Sequence, residues 1–306
     1  MALINQGADA VAGAGLDNAR RAARRGADRE GSGLAAFASF SGGHSRYNSG
    51  SQVDMNSFAL LTGLSYGSEL PAGFLTLGAF FEYANGGYDT YNSFHNAASV
   101  RGDGDAHSVG GGLLGRLDFQ PAGPGHFYAE VSGRAGRLYN DYSAAPFSDV
   151  PGLGSGYDAN SAYYSLHTGL GYLWNLSGKS SLDLYGKYFW THQNGADVTL
   201  STNDPVKFDD LASKRLRAGG RFSYALSEYA SPYLGAAYEH EFDNRARATT
   251  YGYAIEDPNL RGDIGIGEMG LTVAWEALPL SLDLACQGYV GQREGLGVSL
   301  EMKYEF

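Results

Sequence analysis

No window of about 18 uninterrupted apolar residues occurs anywhere in the chain, which excludes a transmembrane helix. There is one cysteine, Cys286, so no internal disulfide can form, and a lone thiol of this kind reads as a small apolar residue rather than a nucleophile. Prolines number 9 and charged residues make up 18% of 306 residues, unlike a chain too polar to collapse. Basic residues are scarce. A net charge of -11 argues against nucleic acid as a partner, because phosphate binding needs a basic surface. The seven histidines (His44, His95, His107, His126, His167, His192, His240) lack metal-ligand spacing, and no constellation of paired carboxylates with a histidine stands out, so no metal, cofactor or catalytic site is expected. Met1 is not followed by a basic, then apolar, then small-residue run, so a secretion signal is absent and the chain reads as part of something longer.

What is abundant points to β-structure. Gly 45, Tyr 22 and Phe 15 supply strand benders and interfacial aromatics, and a mean hydropathy of -0.28 suits strands that hide a polar face behind an apolar one. The last stretch shows the pattern most clearly. Leu296, Val298, Leu300, Met302, Tyr304 and Phe306 share one face of a strand, while Gly297, Ser299, Glu301, Lys303 and Glu305 share the other. An apolar row that runs to the chain end needs something to bury against, and lipid fits. A lipid-facing strand must have all its backbone groups paired, which requires a closed barrel. Similar rows recur from about residue 34 onward, for example Leu75, Leu77, Ala79, Phe81 and Tyr83, or Tyr164, Leu166, Thr168, Leu170, Tyr172 and Trp174. Short turns alternate with longer polar connections near 89–105, 143–160, 194–211 and 243–262. About twelve strands result, and the predicted fold is all-β, a twelve-stranded antiparallel transmembrane β-barrel over 32–306.

Residues 1–31 are different. They are rich in alanine, and five arginines stand against Asp9, Asp17, Asp28 and Glu30, a net of +1. The composition predicts a helix over 16–29 and a weaker one over 2–15. Arg20, Arg21, Arg24 and Arg25 share one face, opposite small alanines, which suits a narrow polar channel. Fully helical, the segment would span roughly 42 Å, enough to cross a bilayer. Reversing the strand register puts Glu130, Arg134, Asp183, Lys187, Arg215, Arg217, Arg221, Glu239, Glu241, Glu268, Asp283, Gln287, Glu301 and Lys303 inside. Glu239, Glu268, Asp283 and Glu301 are expected to form an acidic wall that holds the basic face of the helix in the pore.

The chain resembles the C-terminal translocator domain of a classical (type Va) autotransporter. The resemblance is carried by Gly33 to Tyr47 leading to Val53-Asp54-Met55 and Phe58-Ala59-Leu60-Leu61-Thr62-Gly63, by Leu216 to Arg221, by Pro232-Tyr233-Leu234-Gly235 with Tyr238-Glu239-His240-Glu241-Phe242, and by Gly288 to Gly295 before the terminal Phe306. It implies a barrel with an N-terminal helix in its pore, lodged in the outer membrane of a Gram-negative bacterium after an upstream passenger has been secreted. It also implies that Leu300, Met302, Tyr304 and Phe306 form a signal read by the barrel-assembly machinery, with periplasmic chaperones as earlier partners, and that the barrel works as a monomer. One departure is plain. Members that cut their own passenger do so at an Asn-Asn pair, whereas Asn5 and Asn18 here stand alone. The alternatives are a passive porin, which would have no such helix, and, more remotely, an outer-membrane barrel enzyme. Two Arg-Gly-Asp triplets, at 101–103 and 261–263, read as turn sequences.

Overall fold

The computed structural model describes residues 1–30, 32–92, 99–144, 154–255, 258–275 and 280–305, without the side chains of 25–30, 32 and 305. Three helical segments and sixteen strands are found among the described residues. A continuous helix opens it: α1 (Ala2–Ala10), one wider π turn over Val11–Gly15, and α2 (Leu16–Glu30). Alanines favour the helix throughout, while Gly13 and Gly15 weaken it where the turn widens. The strands are β1 (Ser32–Asn48), β2 (Gln52–Leu70), β3 (Gly73–Asn92), β4 (Val100–Phe119), β5 (Gly125–Ala144), β6 (Ser155–Asn175), β7 (Ser180–Gln193), β8 (Ala196–Thr199), β9 (Pro205–Phe208), β10 (Leu211–Tyr224), β11 (Ala230–Glu241), β12 (Ala248–Thr250), β13 (Tyr253–Ile255), β14 (Gly262–Ala274), β15 (Leu280–Gly291) and β16 (Arg293–Glu305).

Twelve of these close into a barrel in the order β1-β16-β15-β14-β11-β10-β7-β6-β5-β4-β3-β2, every pair antiparallel. The seam joins the two ends of the sheet, with Ala35 opposite Glu305 and Tyr47 opposite Arg293. Closure leaves no unpaired edge, which is the condition for a strand to face lipid. Outward rows are the apolar ones. Leu300 and Met302 are each 48% exposed and Tyr304 46%, and Leu77, Leu113, Leu170 and Leu234 stand out in the same way. Phe306 lies outside the described residues.

The strands run longer than the apolar rows. On β3 the outward series passes from Leu75–Tyr83 to Asn85, Gly87 and Asp89, and on β4 from Phe119–Val109 to His107, Asp105 and Asp103, at a common height given by the register. Hydrogen bonding continues above the apolar band, so 89–92, 100–105, 143–144 and 155–160, expected to belong to long connections, are strand. Arg101-Gly102-Asp103 accordingly sits in β4 and not in a loop, with Arg101 stacked over Tyr91. The loop asymmetry is also less regular than expected. Connections at the end marked by 71–72 are uniformly short. At the opposite end, which bears the longer connections and is termed the outer end, two are short as well, 49–51 and the single residue Gln292.

The two long outer connections fold into hairpins, β8–β9 and β12–β13, which pair with each other through Phe208 and Ala248 to make a four-stranded cap sheet in the order β13-β12-β9-β8. The β12–β13 turn puts Tyr251 (φ 49) and Gly252 (φ 84) in the left-handed region, as a two-residue hairpin turn requires. Tyrosine is an unusual choice there. Its hydroxyl donates to Asp204 Oδ1 at 2.9 Å, tying one hairpin to the other.

Candidate functional site: the occupied lumen

The helix lies inside the barrel. At its outer end Leu3 and Ile4 pack with Tyr47, Met55, Leu138 and Tyr163, and Leu260 folds over this cluster from the connection above. Val11, Leu16 and Ala19 pack against Phe37, Leu61, Phe80 and Leu114, while Ala23 meets Phe74 beside the β2–β3 turn. The helix therefore carries an apolar stripe of Leu3, Ile4, Val11 and Leu16 in addition to alanines, pressed on β1 to β4 and, at Leu3 and Ile4, also on β5 and β6. Alanines and glycines let the backbones approach closely: a Cβ at Gly67 would stand 2.8 Å from that of Ala23. On the opposite side a cavity of ≈ 140 Å³ remains between Gly13, Asp17 and the wall residues Asp183, Tyr185 and Tyr289.

The ion pairs correct the expected polarity. Arg20 Nε pairs with Asp118 at 3.0 Å, Arg21 with Asp283 at 3.7 Å, and Arg24 stacks over Phe74 at 5.1 Å. The side chain of Arg25 lies outside the described residues. Glu239 is not a partner of these arginines: Arg215 (3.2 Å) and Arg217 (2.7 Å) of the wall already engage it. Glu268 is held by Arg221 at 2.7 Å. Glu301, on the same face as Lys303, has no ion pair with Arg20, Arg21 or Arg24, although it borders the cavity. The wall expected to be acidic is thus neutralised by its own arginines and left with cations to spare. The helix answers with acids. Asp9 Oδ1 lies 2.8 Å from both Arg215 and Arg217, Asp9 Oδ2 3.8 Å from Arg293, and Asp17 Oδ2 2.8 Å from Arg221.

Sequence reasoning placed Arg215, Arg217 and Arg221 inside and yet missed their ligands. A signal was present: Asp9, Gly13 and Asp17 recur at i, i+4 and i+8, one stripe of two carboxylates separated by a residue without a side chain. Which wall residues that stripe meets depends on the height of the helix relative to β10 and β16, and periodicity does not carry that information.

Three cations also reach the helix backbone. Arg134, fixed by Glu82 at 2.7 Å, donates to the Ile4 carbonyl; Arg215 donates to the Asn5 carbonyl at 3.3 Å; Lys187 Nζ donates to the Ala12 carbonyl at 2.5 Å, inside the widened turn. Lys187 is itself anchored on Glu130 at 2.8 Å, which Arg116 shares at 3.2 Å. Buried charges of this kind persist only when each is paired, and removing one partner costs on the order of 3–5 kcal/mol. Among the described residues no group of three or more His, Cys, Asp or Glu is placed to hold a metal ion.

A closed twelve-stranded barrel, apolar outside and threaded by a helix inside, defines a membrane β-barrel with an occupied pore. The Autotransporter beta-domain family matches residues 35–284, and the chain belongs to that family. Among solved structures it is similar to the translocator domain of NalP from Neisseria meningitidis (17% identity, 97% of this chain and 98% of that one, TM-score 0.66). It is likewise similar to the transport unit of AIDA-I from Escherichia coli (18% identity, 89% and 90%, TM-score 0.65) and the β-domain of Bordetella BrkA (16% identity, 90% and 100%, TM-score 0.64). No curated protein matches by sequence. Autotransporter β-domains are outer-membrane translocators, transport units rather than enzymes, and that is the class of function this chain has.

Proposed function

We propose that the chain resides in the outer membrane of a Gram-negative bacterium, where it anchors an N-terminal passenger and lets it out to the cell surface through the barrel, the helix remaining behind in the lumen. The observation that carries this reading is the direction of the helix. Its first residues lie at the mouth bearing the cap sheet and its last beside the short turns, so a segment attached ahead of Met1 would leave on the outer side. A porin reading gains nothing from this arrangement, because the helix fills most of the bore that twelve strands enclose.

The outward face of β16, with Leu300, Met302 and Tyr304, fits recognition by a barrel-assembly machinery that reads the final strand, with periplasmic chaperones acting earlier and Phe306 completing the signal. The barrel as described is closed on itself, which suits a monomer in outer-membrane lipid. The direct test fuses an epitope ahead of Met1 and exports the fusion in a Gram-negative host. Labelling of the epitope on intact cells is the expected result; an epitope shielded within the envelope, above a barrel that is folded by heat-modifiability, would overturn the reading.

A further inference from the structure

Three guanidinium groups converge on Asp9 from two well-separated parts of the wall. Arg215 and Arg217 lie on β10 and Arg293 opens β16, with β11, β14 and β15 between them. Their geometry is built before any helix contact is counted. Arg215 and Arg217 stack on the Phe189 ring at 4.6 and 5.1 Å, and Arg293 stacks on Tyr289 at 3.6 Å while its Nε donates to Ser45 at 3.0 Å. Stacking fixes the planes of the guanidiniums and leaves their N–H edges turned to the lumen. Glu239 is the wall carboxylate that shares Arg215 and Arg217, and among the described residues Asp9 is the carboxylate paired with Arg293. The wall alone therefore presents three cations at this height to two carboxylates, Glu239 and Glu241, and Glu241, opposite Arg215 in the register, is taken up by the Ser213 hydroxyl and the Lys214 amide; the three arginine side chains are no more than 14% exposed.

We propose that Arg215, Arg217 and Arg293 form a carboxylate receptor that fixes the height at which the polypeptide in the lumen comes to rest, with Asp9 as its ligand. This deepens the translocator reading and rests on it: the helix left in the lumen is locked at the one height where the carboxylate at position 9 reaches all three guanidiniums while Asp17 and Arg20 keep their own wall partners. The apolar stripe of Val11 and Leu16 does not fix height as sharply, since small and branched side chains can repack after a shift of one turn, whereas a carboxylate moved by four residues, about 6 Å along the axis, leaves the point where all three guanidiniums meet. Among the described residues Asp17 contributes one ion pair with the wall, to Arg221, which Glu268 also shares, its contact with Arg21 lying within the helix.

The test uses the full chain in planar bilayers. Asp9→Asn is expected to raise the fraction of time at a higher conductance level on the order of tenfold, and Asp9→Glu to restore the parent trace. The discriminating variant is Asp9→Asn with Gly13→Asp, which returns the charge to the lumen one turn away at a position where a Cβ meets nothing within 4 Å. A receptor at fixed height leaves this double variant as open as Asp9→Asn. A quiet trace from Asp9→Asn alone, or from the double variant, would overturn the proposal. An epitope ahead of Met1 that stays hidden in the parent as well would instead defeat the translocator reading, while the conductance traces still decide the receptor.

Discussion

The two ends of the lumen hold the helix by opposite arrangements of charge. Towards the outer mouth the acids are on the helix and the arginines on the wall: Asp9 with Arg215, Arg217 and Arg293, then Asp17 with Arg221. Towards the short turns the arginines are on the helix and the acids on the wall: Arg20 with Asp118, Arg21 with Asp283. A uniformly basic helix in an acidic tube would be held equally well one turn up or down. A helix whose charge changes sign against a wall whose charge changes the other way has one height at which both ends are satisfied.

Breaking the outer end should have the largest effect. Asp9→Asn with Asp17→Asn removes the two helix acids that face a wall of four arginines, and helix seating should weaken by about 3–5 kcal/mol, read as a rise in protease accessibility of residues 1–24 in detergent. Lys187→Met, between the two ends, leaves the Ala12 carbonyl without its cation and Glu130 with Arg116 alone; about 2 kcal/mol is expected by the same assay. Arg20→Gln with Arg21→Gln should cost less, about 1 kcal/mol, because Asp118 keeps Arg116 at 2.9 Å when Arg20 is lost, and Arg21 is a third exposed with a long pair to Asp283. Equal effects at the two ends would remove the distinction drawn between them. Arg46→Ala, which breaks a pair with Asp54 on the outside of the barrel, should change neither conductance nor seating.

The smallest effect belongs outside the lumen altogether. Donation from the Thr202 hydroxyl, and then from the Tyr251 hydroxyl, holds Asp204 below the ordinary aspartate value of 3.8. A depressed carboxylate contributes stability that is complete above that value and is lost as pH falls through its lower, folded one. The join between the two hairpins should therefore stay intact at neutral pH and loosen only below about pH 3.8, seen as faster amide exchange in β12 and β13, and Asp204→Asn should flatten that dependence.

The barrel was readable in the sequence wherever its outer surface meets lipid, because there the period-two alternation is enforced by burial on one side and by water or charge on the other. Above the apolar band the alternation fades. Asn85, Asp89, Asp103 and Asp105 face outward from strands that are paired just as regularly, so the strand ends looked like loops although the backbone had not changed. The lumen was half legible. Register alone sorted Arg215, Arg217, Arg221, Glu239 and Glu268 to the inside, but which of them pair with each other across β10, β11 and β14, and which are left for the helix, follows from the stagger of the strands. Two facing residues on neighbouring strands, such as Arg217 and Glu239, cancel before the helix arrives.

The closed sheet is a hoop with one clasp, the ladder between β1 and β16. Asp9 is tied to Arg293 at the outer end of that clasp and to β10 across the lumen, so a pull on the N-terminal end of the helix does not load one strand. It is divided between two sides of the hoop and directed along the strands, in which sense the ladder hydrogen bonds resist together rather than one after another. A tether that would unzip the seam if fixed to its edge is, fixed at Asp9, borne by the whole wall.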